Sequence, residues 1–281
     1  MFHVRKMDAD DYPFAVQLAN TMDWDMAVED FEFAVELEPD GCFVLFHGSE
    51  RAGVATCVNY GHVGWFGNLV VTEAFRRKGA GVFLVRHAIG YLRSACIKTV
   101  GLYAYPHLIG FYEQFGFKAD VDFLVLQGKT ASSEAKKTAQ LQLAKPQNVP
   151  ALIDFDSGCF GACRRKLLEP MLRDKNNVCY MAVDEHGIVG YCAATVYAEA
   201  AGVGPLMCRR KQGGAALALL QAVLCSVVNR EVFICVPAEE KAFLDVLSKA
   251  GLQEKFRVTR MFLGSATGKG CKYIAESLER G

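Results

Sequence analysis

The chain has 281 residues, 52% of them hydrophobic and 22% charged, with 31 basic side chains against 31 acidic ones. That length suffices for one large domain or two of ordinary size, and the balanced charge leaves no electrostatic footprint for nucleic acid or an anionic membrane. The opening MFHVRKMDADD has no apolar signal core, and the longest apolar helical stretch, Ala215–Val228, is interrupted by Gln221 and too short to span a bilayer, so a cytoplasmic location is expected.

The first half reads in a definite order. Val4–Lys6 fits a short strand. Asp10–Asn20 fits a helix, with Asp10, Asp11 and Pro13 in its first turn. Trp24–Met26 falls in a turn, and Val28–Leu37 is an amphipathic helix ended by Pro39 and Gly41. Cys42–Phe46 and Val54–Tyr60 form a hairpin across His47–Gly53. Val63–Val71 is a further apolar strand. It runs into Arg76, Arg77, Lys78, Gly79, Ala80 and Gly81, after which Val82–Leu92 has helical periodicity. Thr99–Ala104 is the next strand, His107–Phe115 a short helix stopped by Gly116, and Asp122–Leu126 the last strand. The stretch Gly128–Gln140 is small, polar and charged, as in a linker.

The second half repeats this plan. Asn148–Phe160 is helical, Val178–Val183 pairs with Gly190–Val196, and Val203–Met207 is a strand leading into CRRKQGGAALALLQAVL. Glu231–Val236 and Ala242–Ala250 follow as strand and helix. Arg76, Gly79 and Gly81 recur as Arg210, Gly213 and Ala215 at an offset of 134 (210 − 76). Gly116 recurs as Gly251 at 135 (251 − 116), and Gly53 as Gly190 at 137 (190 − 53). Near-constant offsets in matching element order argue for a duplicated domain.

Eleven cysteines are scattered singly, which fits reduced thiols; the one close pair, Cys159 and Cys163, reads as small core side chains. Neither the cysteines nor the six histidines have metal-ligand spacing, so no metal is assigned.

The cationic, glycine-containing turn before a helix has a physical use. A helix N-terminus presents backbone N–H groups without partners and a partial positive charge. Glycine lets a ligand approach that backbone, and the three cations add formal charge, so a pyrophosphate would fit. A solvated strand-to-helix turn explains the same residues. A P-loop is excluded because G-x-x-x-x-G-K-[ST] is absent, and GAGVFL lacks the third glycine of a Rossmann turn.

Gly64–Val85, GWFGNLVVTEAFRRKGAGVFLV, followed by GFYEQFGF at Gly110–Phe117, resembles the coenzyme-binding core of the GNAT superfamily of N-acetyltransferases. The second half, with FGACRR (Phe160–Arg165), GPLM (Gly204–Met207) and RMFLG (Arg260–Gly264), is similar to the partner domain of two-domain members. The resemblance implies an α/β (α+β) fold of two tandem GNAT-like domains, each a mixed, mostly antiparallel sheet flanked by helices. It implies an active domain over residues 1–128, a linker over 129–142 and a degenerate domain over 143–281.

It further implies acetyl-coenzyme A as co-substrate. Arg76, Arg77, Lys78, Gly79, Ala80 and Gly81 would hold its pyrophosphate, and the backbone of Leu69, Val70 and Val71 its pantetheine and thioester. Tyr112 would lie near the sulfur as general acid. The partner implied is the primary amine of a small molecule, with neither nucleic acid nor membrane. Two departures are visible: Leu247 stands in the second half where Tyr112 stands in the first, and Tyr105 occupies a position where many relatives have Asn. His62, Glu73 and Glu36 are candidates for a base, none of them singled out, and Trp24 and Trp65 are candidates for an acceptor pocket or for the core. A protein that senses acetyl-coenzyme A without turnover is the alternative function.

Overall fold

The computed structural model describes residues 1–130, 141–268 and 270–281. In chain order the elements are β1 (Phe2–Lys6), α1 (Tyr12–Asn20), α2 (Val28–Leu37), β2 (Cys42–His47), β3 (Glu50–Asn59), β4 (Val63–Val71), α3 (Ala80–Ser94), β5 (Thr99–Ala104), α4 (Ile109–Glu113) and β6 (Lys118–Lys129). The second half runs β7 (Leu141–Leu143), α5 (Val149–Phe160), α6 (Arg165–Arg173), β8 (Val178–Asp184), β9 (Gly187–Val196), β10 (Ala200–Arg209), α7 (Gly213–Ser226), β11 (Glu231–Pro237), α8 (Lys241–Lys249), β12 (Gln253–Leu263) and β13 (Cys271–Ile274). Each element from β1 to β6 has its counterpart, in the same order, from β7 to β12. Among the described residues β13 alone has none. Of the expected linker, residues 131–140 lie outside the described residues.

Contacts divide the chain into two compact units. One comprises Met1–Leu102 with Phe262–Ser265 and Arg280; the other comprises Tyr103–Met261 with Ala266–Glu279 and Gly281. In the first, β1–β2, β2–β3 and β3–β4 are antiparallel and β4–β5 is parallel. Phe31, Leu18 and Ala15 of α1 and α2 pack with Val44, Val54 and Val70 of the strands. Burial of such apolar side chains is the main stabilising contribution.

In the second unit, β7–β8, β8–β9 and β9–β10 are antiparallel and β10–β11 is parallel. Strand β6 pairs antiparallel with β11 along its length, from Phe123↔Pro237 to Lys129↔Glu231. This pairing is why α4 and β6, which belong to the first sequence repeat, fall in the second unit. Helix α7 buries Ala216, Leu219, Leu220 and Val223 against Val203, Ile234 and Val236.

Two features correct the expectations. The expected hairpin turn His47–Gly53 is shorter, because β2 runs to His47 and β3 begins at Glu50, leaving a tight connection at Gly48. The cysteines are not all free: Cys159 of α5 is disulfide-bonded to Cys271 of β13, with Cα atoms 5.7 Å apart and 112 residues between them in sequence. Cys163, the neighbour by spacing, is a free and exposed thiol. Pairing across 112 residues is decided by how β13 docks, which leaves no trace in local spacing.

Candidate active site

Strand β4 is where the expected site begins. On one edge it pairs with β3, from Asn59↔Gly64 to Gly53↔Val71, with a bulge between Val54 and Thr56 that is opposite Asn68, whose φ is +49°. On the other edge it pairs with β5 only over Val63–Trp65. Beyond Trp65 the two strands are no longer in register, and the β5-side edge of Leu69–Val71 has no strand partner among the described residues. The Val70 side chain is buried in the core and its backbone faces β3, as the Thr72 N–H does in bonding to the Ala52 carbonyl at 2.9 Å. By strand alternation it is the backbone of Val71 that faces the open edge. An unpaired strand edge is a row of hydrogen-bonding groups that an extended ligand can complete.

The turn follows at once. Arg76 is fixed at the strand end by Nε donating to the Val71 carbonyl at 3.0 Å, while its side chain remains exposed. Arg77, Lys78 and Gly79 are also exposed. Gly79 has φ +87°, in the left-handed region that favours glycine, and a Cβ added there would meet nothing within 4 Å. It is the N-terminal cap of the 15-residue α3, and no side chain caps that end. Ala80 is buried and anchors the first turn. The site therefore presents exposed cations, an uncapped helix N-terminus and open space over one glycine, which together suit an anion.

Tyr112 lies in the second unit, on α4, and is 6% exposed. Its ring stands edge-on to Phe111 at 5.1 Å and to Phe117 at 5.9 Å. Burial pushes its phenol well above the ordinary tyrosine range, so at neutral pH it is a neutral hydroxyl able to donate a hydrogen bond.

The remaining candidates separate clearly. His62, Glu73 and Glu36 are all exposed. Trp65 is a core residue, 1% exposed and edge-on to Phe262 at 6.0 Å, so it lines no acceptor pocket. Trp24 packs partly buried against the cluster around Phe31. A cavity of about 410 Å³ opens between Arg5, Lys6, Asp40, Phe43, His87 and Tyr91, and it includes no residue of the β4–α3 turn.

Three buried carboxylates have partners that sequence reasoning missed. Glu38 accepts from the Asn59 N–H at 2.9 Å and from the Tyr91 hydroxyl. Asp11 accepts from Arg5 and Arg51, each at 2.9 Å. Asp156 takes a bidentate pair from Arg164 (3.1 and 2.7 Å) and a bond from the Tyr191 hydroxyl at 2.7 Å. Arg164 belongs to FGACRR, so that motif's second-last cation is a fully buried structural group rather than a surface one. No sequence signal distinguishes it from its exposed neighbour Arg165. Among the described residues no cluster of His, Cys, Asp and Glu could hold a metal, and no helix is long and apolar enough to cross a membrane.

Comparison with known proteins bears on the family and the fold. Residues 3–117 match the acetyltransferase (GNAT) family, and residues 152–272 match an acetyltransferase (GNAT) domain. A holothin acyltransferase from Pseudoalteromonas sp. (strain SANK 73390) is 23% identical over 244 residues, covering 86% of this chain and 81% of that protein. Among solved structures, one from Pyrococcus horikoshii assigned to the acetyltransferases superposes with a TM-score of 0.80 at 22% identity, over 100% of this chain and 96% of the other. A tandem GNAT protein from the clavulanic acid biosynthesis pathway superposes at 0.61 and 14% identity, over 95% and 100%. Such identities between structures speak to the fold. With two family matches in series, a repeated element order and an acyltransferase relative, the chain belongs to the GNAT acyltransferases in their tandem two-domain form.

Proposed function

We propose that the protein is an acetyl-coenzyme A-dependent N-acetyltransferase acting on the primary amine of a small molecule. Its first repeat, residues 1–128, would carry the activity. The second, residues 143–281, would be degenerate, because Leu247 cannot donate the proton that Tyr112 can. The observation that carries this reading is the free β4 edge at Leu69–Val71 leading directly into an uncapped, cation-flanked helix N-terminus. One places an extended arm, the other a polyanion, and coenzyme A is both in one molecule. The relative that acylates holothin supports acyl transfer as the chemistry.

In the reaction a neutral amine attacks the thioester carbonyl carbon, the C–S bond breaks, and coenzyme A leaves as thiolate. The pyrophosphate is held by Arg76, Arg77 and Lys78 with the amides of Gly79, Ala80 and Gly81. Of the two candidate donors, Val70 faces β3, so the backbone N–H of Val71 at the open edge steadies the oxyanion as it forms. Preorganised donors of this kind are usually the largest single contribution to such reactions. Tyr112 donates a hydrogen bond to the departing sulfur. A free phenol has a pKa of about 10 and a thiol about 8.5, so complete transfer is uphill even before burial. Burial raises Tyr112 further, which favours a shared hydrogen bond over full protonation. The proton lost from the amine goes to water. The same reading locates the protein in the cytoplasm with its co-substrate.

The test is release of free thiol from acetyl-coenzyme A against a panel of amines, amino acids, polyamines and aminoglycosides. Thiol release that depends on one acceptor is the expected result. Tight coenzyme binding with no release against any acceptor overturns the enzymatic reading in favour of a sensor.

A further inference from the structure

Strand β13 stands where the first repeat is open. In the second repeat, β10 carries the same bulge as β4: its pairing with β9 shifts between Val203 and Leu206, as the β3–β4 register shifts around Asn68. Leu206 and Met207 follow that bulge as Val70 and Val71 follow the first, an offset of 136 (206 − 70). Like β4 with β5, β10 pairs in parallel with β11 only over its early residues, Ala200–Val203. The edge of Leu206–Arg209 that would then be free is taken by β13, antiparallel, with Leu206↔Ile274, Met207↔Tyr273, Cys208↔Lys272 and Arg209↔Cys271. The next residue, Ala275, donates its N–H to Cys235 of β11 at 3.3 Å, so the segment bridges both arms of the divergence. Tyr273, Ile274 and Ala275 are buried there. The first residue of β13, Cys271, is tied to α5 by the bridge to Cys159.

We propose that β13 is an intramolecular strap occupying the thioester groove of the second repeat, that the Cys159–Cys271 disulfide is its clasp, and that opening the clasp lets the pantetheine arm of a coenzyme A thioester displace it. The ligand class rests on the proposed function of the first repeat; the strap and clasp do not. A strand and a pantetheine arm satisfy the same backbone groups in the same direction of hydrogen bonding, so they compete for one edge. With the bridge intact, the N-terminal end of the strap stays at the groove however often its hydrogen bonds open. A dithiol supplies two electrons and two protons: the Cys159–Cys271 bond breaks, two thiols form, and the dithiol closes to its own disulfide. The strap is then held only by its pairing and its buried side chains, and an opening can be captured by ligand.

Three measurements on the full chain test this. A non-reduced digest should contain the linked Cys159–Cys271 peptide; its absence overturns the clasp. Hydrogen exchange followed by mass spectrometry should show Lys272–Ala275 exchanging at least tenfold faster with dithiothreitol, and in Cys271→Ser without it, while β9 is unchanged and Cys163→Ser has no effect. Equal rates in bridged and reduced protein overturn the strap's dependence on the clasp. Calorimetry with S-ethyl coenzyme A, a thioether that cannot exchange with the bridge, should give one site per chain in the bridged protein and two in Cys271→Ser, reduced again to one by adding Gly213→Glu. One site in both states overturns the unmasking. No binding in either state, with the exchange difference intact, overturns the coenzyme reading of the first repeat and leaves the strap established.

Discussion

Tyr112 carries the sharpest prediction at the scale of single residues. Its hydroxyl is the only part lost in Tyr112→Phe, and the ring contacts to Phe111 and Phe117 survive. Turnover should fall by roughly 10²–10⁴-fold, the span for a positioned proton donor, with coenzyme affinity by calorimetry unchanged. Unaltered turnover in steady-state kinetics would remove Tyr112 from the mechanism. Asp11 governs a different property. Burial alone would raise its carboxyl, but the Asp8 N–H and the guanidinium groups of Arg51 and Arg5 outweigh this and hold it below the ordinary range. A lowered folded-state pKa gives stability that is complete above the unfolded value and is lost as pH falls through the folded one. Asp11→Asn should therefore cost about 1–3 kcal/mol at pH 7. Its urea midpoint should converge with that of the parent as the pH drops below about 4. A constant gap down to pH 2 would contradict the assignment. Asp11 was visible in the sequence only as a helix-start residue; its two arginines come from β1 and from β3, 40 residues later.

Among elements, the strands and helices with an uninterrupted apolar period were legible. Val28–Leu37, Val63–Val71 and Thr99–Ala104 match the expected bounds. The elements that escaped share a physical cause. Helix α6 contains Pro170, which removes a helical N–H and reads as a break, yet Leu167, Leu168 and Met171 bury one face and hold it together. Strand β12 opens with Gln253, Glu254 and Lys255, so its polar half hides the apolar half.

The divergence of β4 from β5 shows packing at work. Trp65 and Gly101 are direct partners where the two strands still pair, and a Cβ on Gly101 would overlap the indole ring. Gly101→Ala should cost about 1–3 kcal/mol, as overpacking of a filled core does. Tryptophan emission should shift to the red as Trp65 is pushed from its place. An unchanged spectrum and melting curve would mean that the ring has room to move.

For the whole molecule, the duplication makes a paired experiment possible. Gly79 is left-handed, exposed and clear of neighbours, so Gly79→Glu puts a carboxylate where the pyrophosphate is proposed to lie, at a strain cost of about 1–2 kcal/mol. Gly213 is the matching position, with ordinary clearance from Lys272. In the bridged protein Gly79→Glu should abolish acetyl-coenzyme A binding, and Gly213→Glu should leave it intact. Equal loss at both positions would mean that both repeats bind before the clasp opens.

By itself, the sequence determined the repeated element order, the strand–turn–helix in which the candidate site lies, and the absence of a matching tyrosine at Leu247. These follow from local rules: apolar period, turn residues and the chemistry of single side chains act over a few residues and survive in the string. The tertiary structure decided that β6 pairs with β11, that Arg164 is buried against Asp156, that Trp65 is core, and that Cys159 meets Cys271. It also decided that one strand edge is open and its repeat is filled by β13. Each of these joins residues far apart in sequence, and the free energy that selects such a partner comes from burial and backbone pairing, which no local stretch of residues records.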